Sequence, residues 1–212
     1  MRVLKFGGTS VANAERFQDV AKIALDTAAH SQTALVLSAP AKITNLLVAL
    51  VAQGAAGNSG LKEFDDIRAI IEPIITTLGS KFEGFNTKKI LSEYNKTMET
   101  IRKRVDGMAL LGVCPELVMA YIESRGESFS ILIMEELLKS LGKKVRVIDP
   151  VKVLVTEGPI MESSVNIDAS KAKYAALEDD KDAITLMSGF CGGNAHGAPS
   201  RATPPDEGPG LS

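Results

Sequence analysis

The segment Lys5-Phe6-Gly7-Gly8-Thr9-Ser10 has the strongest chemical character in this 212-residue sequence. Two glycines directly after a short apolar run let the backbone approach a ligand closely. The helix expected to follow offers unpaired N–H groups and the positive end of its dipole, a suitable seat for phosphate. Lys5 alternates with the apolar residues of that run and lies beside the turn, so its ammonium can reach the same anion. No Gly-Lys-Ser/Thr ends the segment and no GxGxxG is present, so it is neither a Walker loop nor a dinucleotide fingerprint. The same residues also describe a plain glycine turn with Lys5 at a strand end, and local chemistry leaves both readings open.

A second group of candidates is equally double-sided. Thr44 and Asn45 present a hydroxyl and an amide after Ser38-Ala39-Pro40, where they can serve a ligand or cap a helix. Ser124-Arg125-Gly126-Glu127 fits a capping box, with Ser at the N-cap and Glu three residues on. Gly126 is a costly residue in a first helical turn, which suggests that something must approach there. Arg125 is most simply a surface or ion-pair residue. His30 sits at a polar helix end and His196 in a glycine-rich stretch. Cys114 and Cys191 fit no metal spacing and no disulfide framework. Glu178-Asp179-Asp180-Lys181-Asp182 reads as a solvated turn, lacking the glycine and spacing of a calcium loop.

The elements that position these residues follow from periodicity. Residues 2–6, 34–37, 144–148 and 183–187 are short apolar runs that read as strands. Asn13 is a good N-cap for a helix carrying Phe17, Val20, Ala21, Ala24 and Leu25 at helical spacing. Residues 44–53 read as a helix and 54–60 as a flexible loop. Residues 61–113 are mostly helical, and 115–142 hold two helical pieces divided near Gly126. Residues 153–167 read as a hairpin around Glu157-Gly158-Pro159, and 168–179 as a short helix. Strands alternating with helices predict an α/β fold with a mostly parallel sheet and helices on both faces. In such sheets ligands sit beyond the carboxyl ends of the strands, which directs attention to 7–10, 38–45, 149–150 and 188–193.

Composition excludes several classes. The chain is 45% apolar, with 24 Lys+Arg against 26 Asp+Glu. That is globular rather than disordered, and no basic excess recommends nucleic acid. No apolar run approaches the roughly 20 residues of a membrane span, and the N-terminus has no signal-peptide architecture. The expectation is a cytoplasmic protein with reduced cysteines.

Taken together, three motifs resemble those of aspartate kinases, in the amino-acid kinase superfamily. Met1-Arg2-Val3-Leu4-Lys5-Phe6-Gly7-Gly8-Thr9-Ser10-Val11-Ala12 resembles their opening signature. Val36-Leu37-Ser38-Ala39-Pro40-Ala41-Lys42-Ile43-Thr44-Asn45 resembles the second motif and Arg125-Gly126-Glu127-Ser128-Phe129-Ser130 the third. Val147-Ile148-Asp149-Pro150 and Leu186-Met187-Ser188-Gly189-Phe190 stand at the expected places, and the wording is most similar to the kinase portion of bifunctional aspartokinase–homoserine dehydrogenases. The resemblance implies a three-layer amino-acid/carbamate kinase fold. It implies phosphoryl transfer from ATP, with Mg2+, to the side-chain carboxylate of L-aspartate, the first step of lysine, threonine and methionine biosynthesis. Lys5 would neutralise the transferring phosphoryl group, and Gly7, Gly8, Thr9 and Ser10 would cradle the phosphates. Thr44, with its neighbour Asn45, would bind the substrate, and Glu127 would hold its ammonium group. Full-length relatives are expected to be homo-oligomers.

The resemblance runs from residue 1 to about 197, which therefore reads as the N-terminal, amino-acid-binding part of a kinase domain. After Ser188-Gly189-Phe190 the family continues through a Gly-Arg-Gly/Asn-Gly-Ser-Asp segment and then its ATP-binding elements. Residues 198–212, with four prolines, do not follow that pattern and read as a disordered, divergent tail. The expectation is a fragment of the aspartate kinase lineage lacking the nucleotide half. The alternative is a catalytically silent module that at most binds an amino acid or associates with other chains. Unpaired sheet edges predict poor solubility or self-association.

Overall fold

The structure is a computed structural model that describes residues 1–177, 180–195 and 197–202. Its centre is an all-parallel sheet of four strands: β1 (Arg2–Phe6), β2 (Thr33–Leu37), β3 (Val145–Ile148) and β6 (Ile184–Ser188), in the order β1-β2-β6-β3. Leu4, Leu35, Leu186 and Val147 stand in one cross-strand row, and Lys5, Val36, Met187 and Ile148 in the next. Because side chains alternate along a strand, the first row faces the opposite side of the sheet from the second.

Helices α1 (Ala14–Ala28) and α5 (Glu116–Ser140) contact this sheet. Leu35, Leu37 and Leu186 are fully buried in the same core as Phe17 and Phe129. Helices α2 (Ile43–Ala55), α3 (Leu61–Lys81) and α4 (Thr87–Leu111) pack on α1 and α5 and on one another. The periodic residues of the long helices are the buried ones: Ile67, Ile71, Ile74 and Ile75 on α3, and Ile90, Tyr94, Ile101 and Val105 on α4. Burying a side chain of this size contributes about 1.5–3 kcal/mol. Asn13 caps α1 as its type predicts, accepting the Arg16 N–H at 2.9 Å.

The remaining elements are small. Helix α6 (Pro150–Val153) starts on Asp149, whose side chain accepts the Val151 N–H. Strands β4 (Thr156–Glu157) and β5 (Ser164–Val165) form the expected hairpin, and helix α7 (Ile167–Ala175) follows. Strand β7 (Cys191–Gly193) pairs antiparallel with β8 (Pro199–Arg201).

Four expectations need correction. Residues 115–142 hold one helix, α5, rather than two pieces divided at Gly126. Ser124 and Glu127 are consequently mid-helix, and no capping box forms; the Ser124 hydroxyl donates instead to the Tyr121 carbonyl at 2.8 Å. A Cβ on Gly126 would lie 2.8 Å from the Ala39 Cβ and 3.2 Å from the Ile43 side chain. Glycine is therefore present for the close passage of α5 against α2, and its propensity cost is offset by tertiary packing. The loop expected at 54–60 begins later, because α2 runs to Ala55. In the tail, Pro199–Arg201 is a strand with Ser200 fully buried, because it pairs with β7 and its hydroxyl is hydrogen-bonded to that of Thr156. Residues 203–212, His196, Glu178 and Asp179 lie outside the described residues, while Asp180 pairs with Lys144 at 2.8 Å.

Candidate active site at the carboxyl ends of β1, β2 and β6

Three loops leave the sheet side by side, and the chain's hydrogen bonds lock them together. After β1 the glycines lead into a 3-10 turn, Gly8–Val11, ahead of α1, anchored by the fully buried Val11. The Ser10 N–H donates to the Gly7 carbonyl at 2.9 Å. After β2 the Ala41 N–H donates to the Gly8 carbonyl at 3.1 Å. A Cβ on Gly8 would stand 2.8 Å from the Ala39 carbonyl oxygen, so only glycine lets the two loops pass.

The head of α2 is unusual. Its N-cap is Lys42, held at φ 72° with no side-chain cap. A left-handed lysine stores strain of about 1–3 kcal/mol, and such strain persists where surrounding structure over-determines it. Thr44 and Asn45 fall in the first turn, so neither is the cap that the sequence allowed. Their N–H groups belong to the first four of the helix, which have no intrahelical acceptor. Thr44 is half-buried and Asn45 exposed.

Glu127 reaches this cluster from α5. Its Oε2 accepts the N–H groups of Gly189 and Phe190, both at 2.8 Å, so the turn after β6 grips the carboxylate. Burial pushes its pKa up to about 7, opposed by those two N–H groups and by the Lys5 ammonium. The Lys5 ammonium, exposed at the end of β1, is the smallest of these influences on Glu127. Lys5, the glycine turn, the head of α2 and Glu127 meet at one end of the sheet. Thr9 is exposed and Ser10 half-buried on the same turn.

Sequence reasoning missed the residues that fix this arrangement. The fully buried Ser130 donates its Oγ hydrogen to the Ser38 carbonyl at 2.7 Å, tying α5 one turn beyond Glu127 to the end of β2. A serine within the otherwise apolar run 129–134 was the available signal. Gly189 and Phe190 act through backbone N–H groups, which no side-chain pattern reveals. Among the described residues no group of three or more His, Cys, Asp or Glu could hold a metal ion. These residues alone do not make a magnesium site.

The sequence profile of the amino acid kinase family matches residues 1–203. The chain belongs to that family. The bifunctional aspartokinase/homoserine dehydrogenase of Haemophilus influenzae is 39% identical over 197 residues, covering 93% of this chain and 24% of that protein. The lysine-sensitive aspartokinase 3 of Escherichia coli is 32% identical over 198 residues, covering 92% of this chain and 41% of that protein. The crystal structure of E. coli aspartokinase III in complex with aspartate and ADP superposes with a TM-score of 0.81 at 28% identity, covering 94% of this chain and 42% of that one. This amino acid kinase chain thus spans about a quarter of the first curated relatives' length. No described helix is long and apolar enough to cross a membrane.

Proposed function

We propose that this chain carries the amino-acid side of an aspartate kinase site, for the reaction of ATP with L-aspartate to give 4-phospho-L-aspartate and ADP. A side-chain carboxylate oxygen of aspartate attacks the terminal phosphorus. The bond from that phosphorus to the bridging oxygen breaks, and ADP leaves with the electron pair. Catalysis of this kind is mostly positioning and charge stabilisation. Lys5 neutralises the charge that develops on the transferring group, and the backbone N–H groups of Gly7, Gly8, Thr9 and Ser10 cradle the phosphates. Thr44 and Asn45 hold the amino acid, and Glu127 takes its ammonium group. Magnesium would arrive on the nucleotide's phosphates and add to this charge neutralisation.

One observation carries the reading: Glu127, with one oxygen fixed by Gly189 and Phe190 and its pKa held near 7, lies within the field of Lys5. A half-neutral carboxylate beside a cation suits a zwitterionic amino acid, whose ammonium completes its ionisation while its acidic end faces the lysine. Calorimetric titration with L-aspartate tests it. Saturable binding lost in Glu127→Gln supports the proposal, and equal binding in both proteins refutes it. An ADP-release assay with and without L-aspartate then separates turnover from the alternative, a module that binds the amino acid without turning it over.

A further inference from the structure

We propose that the cavity between α5 and the carboxyl end of β3 binds a small carboxylate with an apolar body. Its volume is about 440 Å3, within the range of small-molecule sites. It opens beyond the ends of β3 and β6, where ligands of parallel sheets sit, and is lined there by Asp149 and Ser188. Lys5, Thr44 and Glu127 do not line it.

Two observations define the ligand. The first is Arg125, the one cation among the described residues of the lining. Its guanidinium lies over the Tyr121 ring at 4.5 Å, with Nη2 donating to the Ser124 hydroxyl at 2.9 Å and Nε to the Tyr121 carbonyl at 3.3 Å. These partners are neutral, and among the described residues no ion pair engages the half-buried cation; of the two carboxylates in the lining, Glu135 pairs with Lys139 and Asp149 accepts the Val151 N–H. A planar guanidinium in that state matches a carboxylate. The second is Val147. It ends the row that holds the fully buried Leu35 and Leu186, on the edge strand β3, where it is 43% exposed and lines the cavity. With Ile131 and Leu132 it provides an apolar wall for the ligand's body.

The site is coupled to its neighbour through the chain. Ser188 and Cys191 line the cavity and bracket Gly189 and Phe190, whose N–H groups grip Glu127. A bound ligand therefore presses on the turn that holds Glu127. Asp149 stands ready to accept an ammonium, so the shared chemistry covers plain monocarboxylates and amino acids with branched apolar side chains.

Amide NMR of the full chain titrated with 4-methylpentanoate, 4-methylpentanamide and L-leucine tests the proposal. The acid is expected to shift the 147–151 and 188–191 amides saturably. The uncharged amide should bind at least tenfold more weakly, as should the acid to Arg125→Gln, with partial recovery in Arg125→Lys. Val147→Asp, at an exposed edge position, should abolish binding without disturbing the core. Leucine binding more tightly than the acid assigns an amino acid; weaker binding assigns a monocarboxylate. Equal affinity for acid and amide, no saturable shift, or indifference to Arg125→Gln and Val147→Asp would overturn it. The titrations contain no L-aspartate, so failure here is distinguishable from failure of the aspartate reading, on which this binding does not depend.

Discussion

At Glu127 two opposing influences meet: burial disfavours the ionised form, while two N–H donors and Lys5 favour it, and burial wins. The sign of the consequence differs for folding and for binding. A carboxyl group whose pKa rises on folding supports the fold fully below its ordinary value of 4.5, and that support is lost as pH climbs through about 7. Thermal denaturation should accordingly show stability declining across that window, and Glu127→Gln should flatten the decline. Capture of an ammonium group requires the ionised form, so L-aspartate affinity should rise with pH, about tenfold per unit below the midpoint, and level off above it. A titration at three pH values checks this; a flat profile in the unsubstituted protein would contradict the assignment. Ser130 is a second single-residue test. Ser130→Ala removes the hydroxyl from which the half-buried Ser38 carbonyl accepts, a loss of about 0.5–1.5 kcal/mol in urea denaturation.

Among elements, the crossing of α2 and α5 sets the geometry of the cluster. Gly126→Ala gains about 1 kcal/mol of helix propensity but places a methyl 2.8 Å from the Ala39 Cβ. Neither neighbour is the loose end of a long side chain, so overpacking of about 1–3 kcal/mol outweighs the gain and the variant should be destabilised. Gly107 provides the contrast, being inside α4 with nothing within 4 Å of its added Cβ. Gly107→Ala should raise stability by about 0.5–1 kcal/mol. Side-by-side melts of the two variants separate propensity from packing; shifts of the same sign would show that the α2–α5 contact is looser than described. Gly8→Ala acts on the loops instead, because a Cβ there meets the Ala39 carbonyl. It should weaken ligand binding more than it lowers the melting temperature.

For the molecule as a whole, the exposed surface predicts association. Among the described residues strands β1 and β3 are the edges of the parallel sheet, and Val3 on β1 is 59% exposed. Leu110 and Leu111, at the end of α4, are 88% and 71% exposed. Open edges and apolar patches recruit further chains. Light scattering should show mass rising with protein concentration, and Val3→Lys combined with Leu110→Lys should suppress it. A concentration-independent monomer would refute this.

The alternation of apolar strands and periodic helices was legible residue by residue, because periods near 2 and 3.6 are local properties of the chain. Asn13 as a cap, the hairpin at Glu157-Gly158-Pro159 and the α/β class all follow from such local rules. The glycines and Lys5 were legible as types suited to phosphate, whereas the amino-acid roles of Thr44 and Glu127 were implied only by the resemblance. Tertiary structure alone decided the rest. Gly126 reads as a break until α2 is seen to pass against it, and Ser200 reads as tail until β7 pairs beside it. The grip of Gly189 and Phe190 on Glu127 joins residues more than 60 positions apart through backbone groups that every residue possesses. Sequence encodes side-chain chemistry directly, whereas the placing of backbone donors, the depth of burial and the pKa that burial imposes exist only once distant segments have packed.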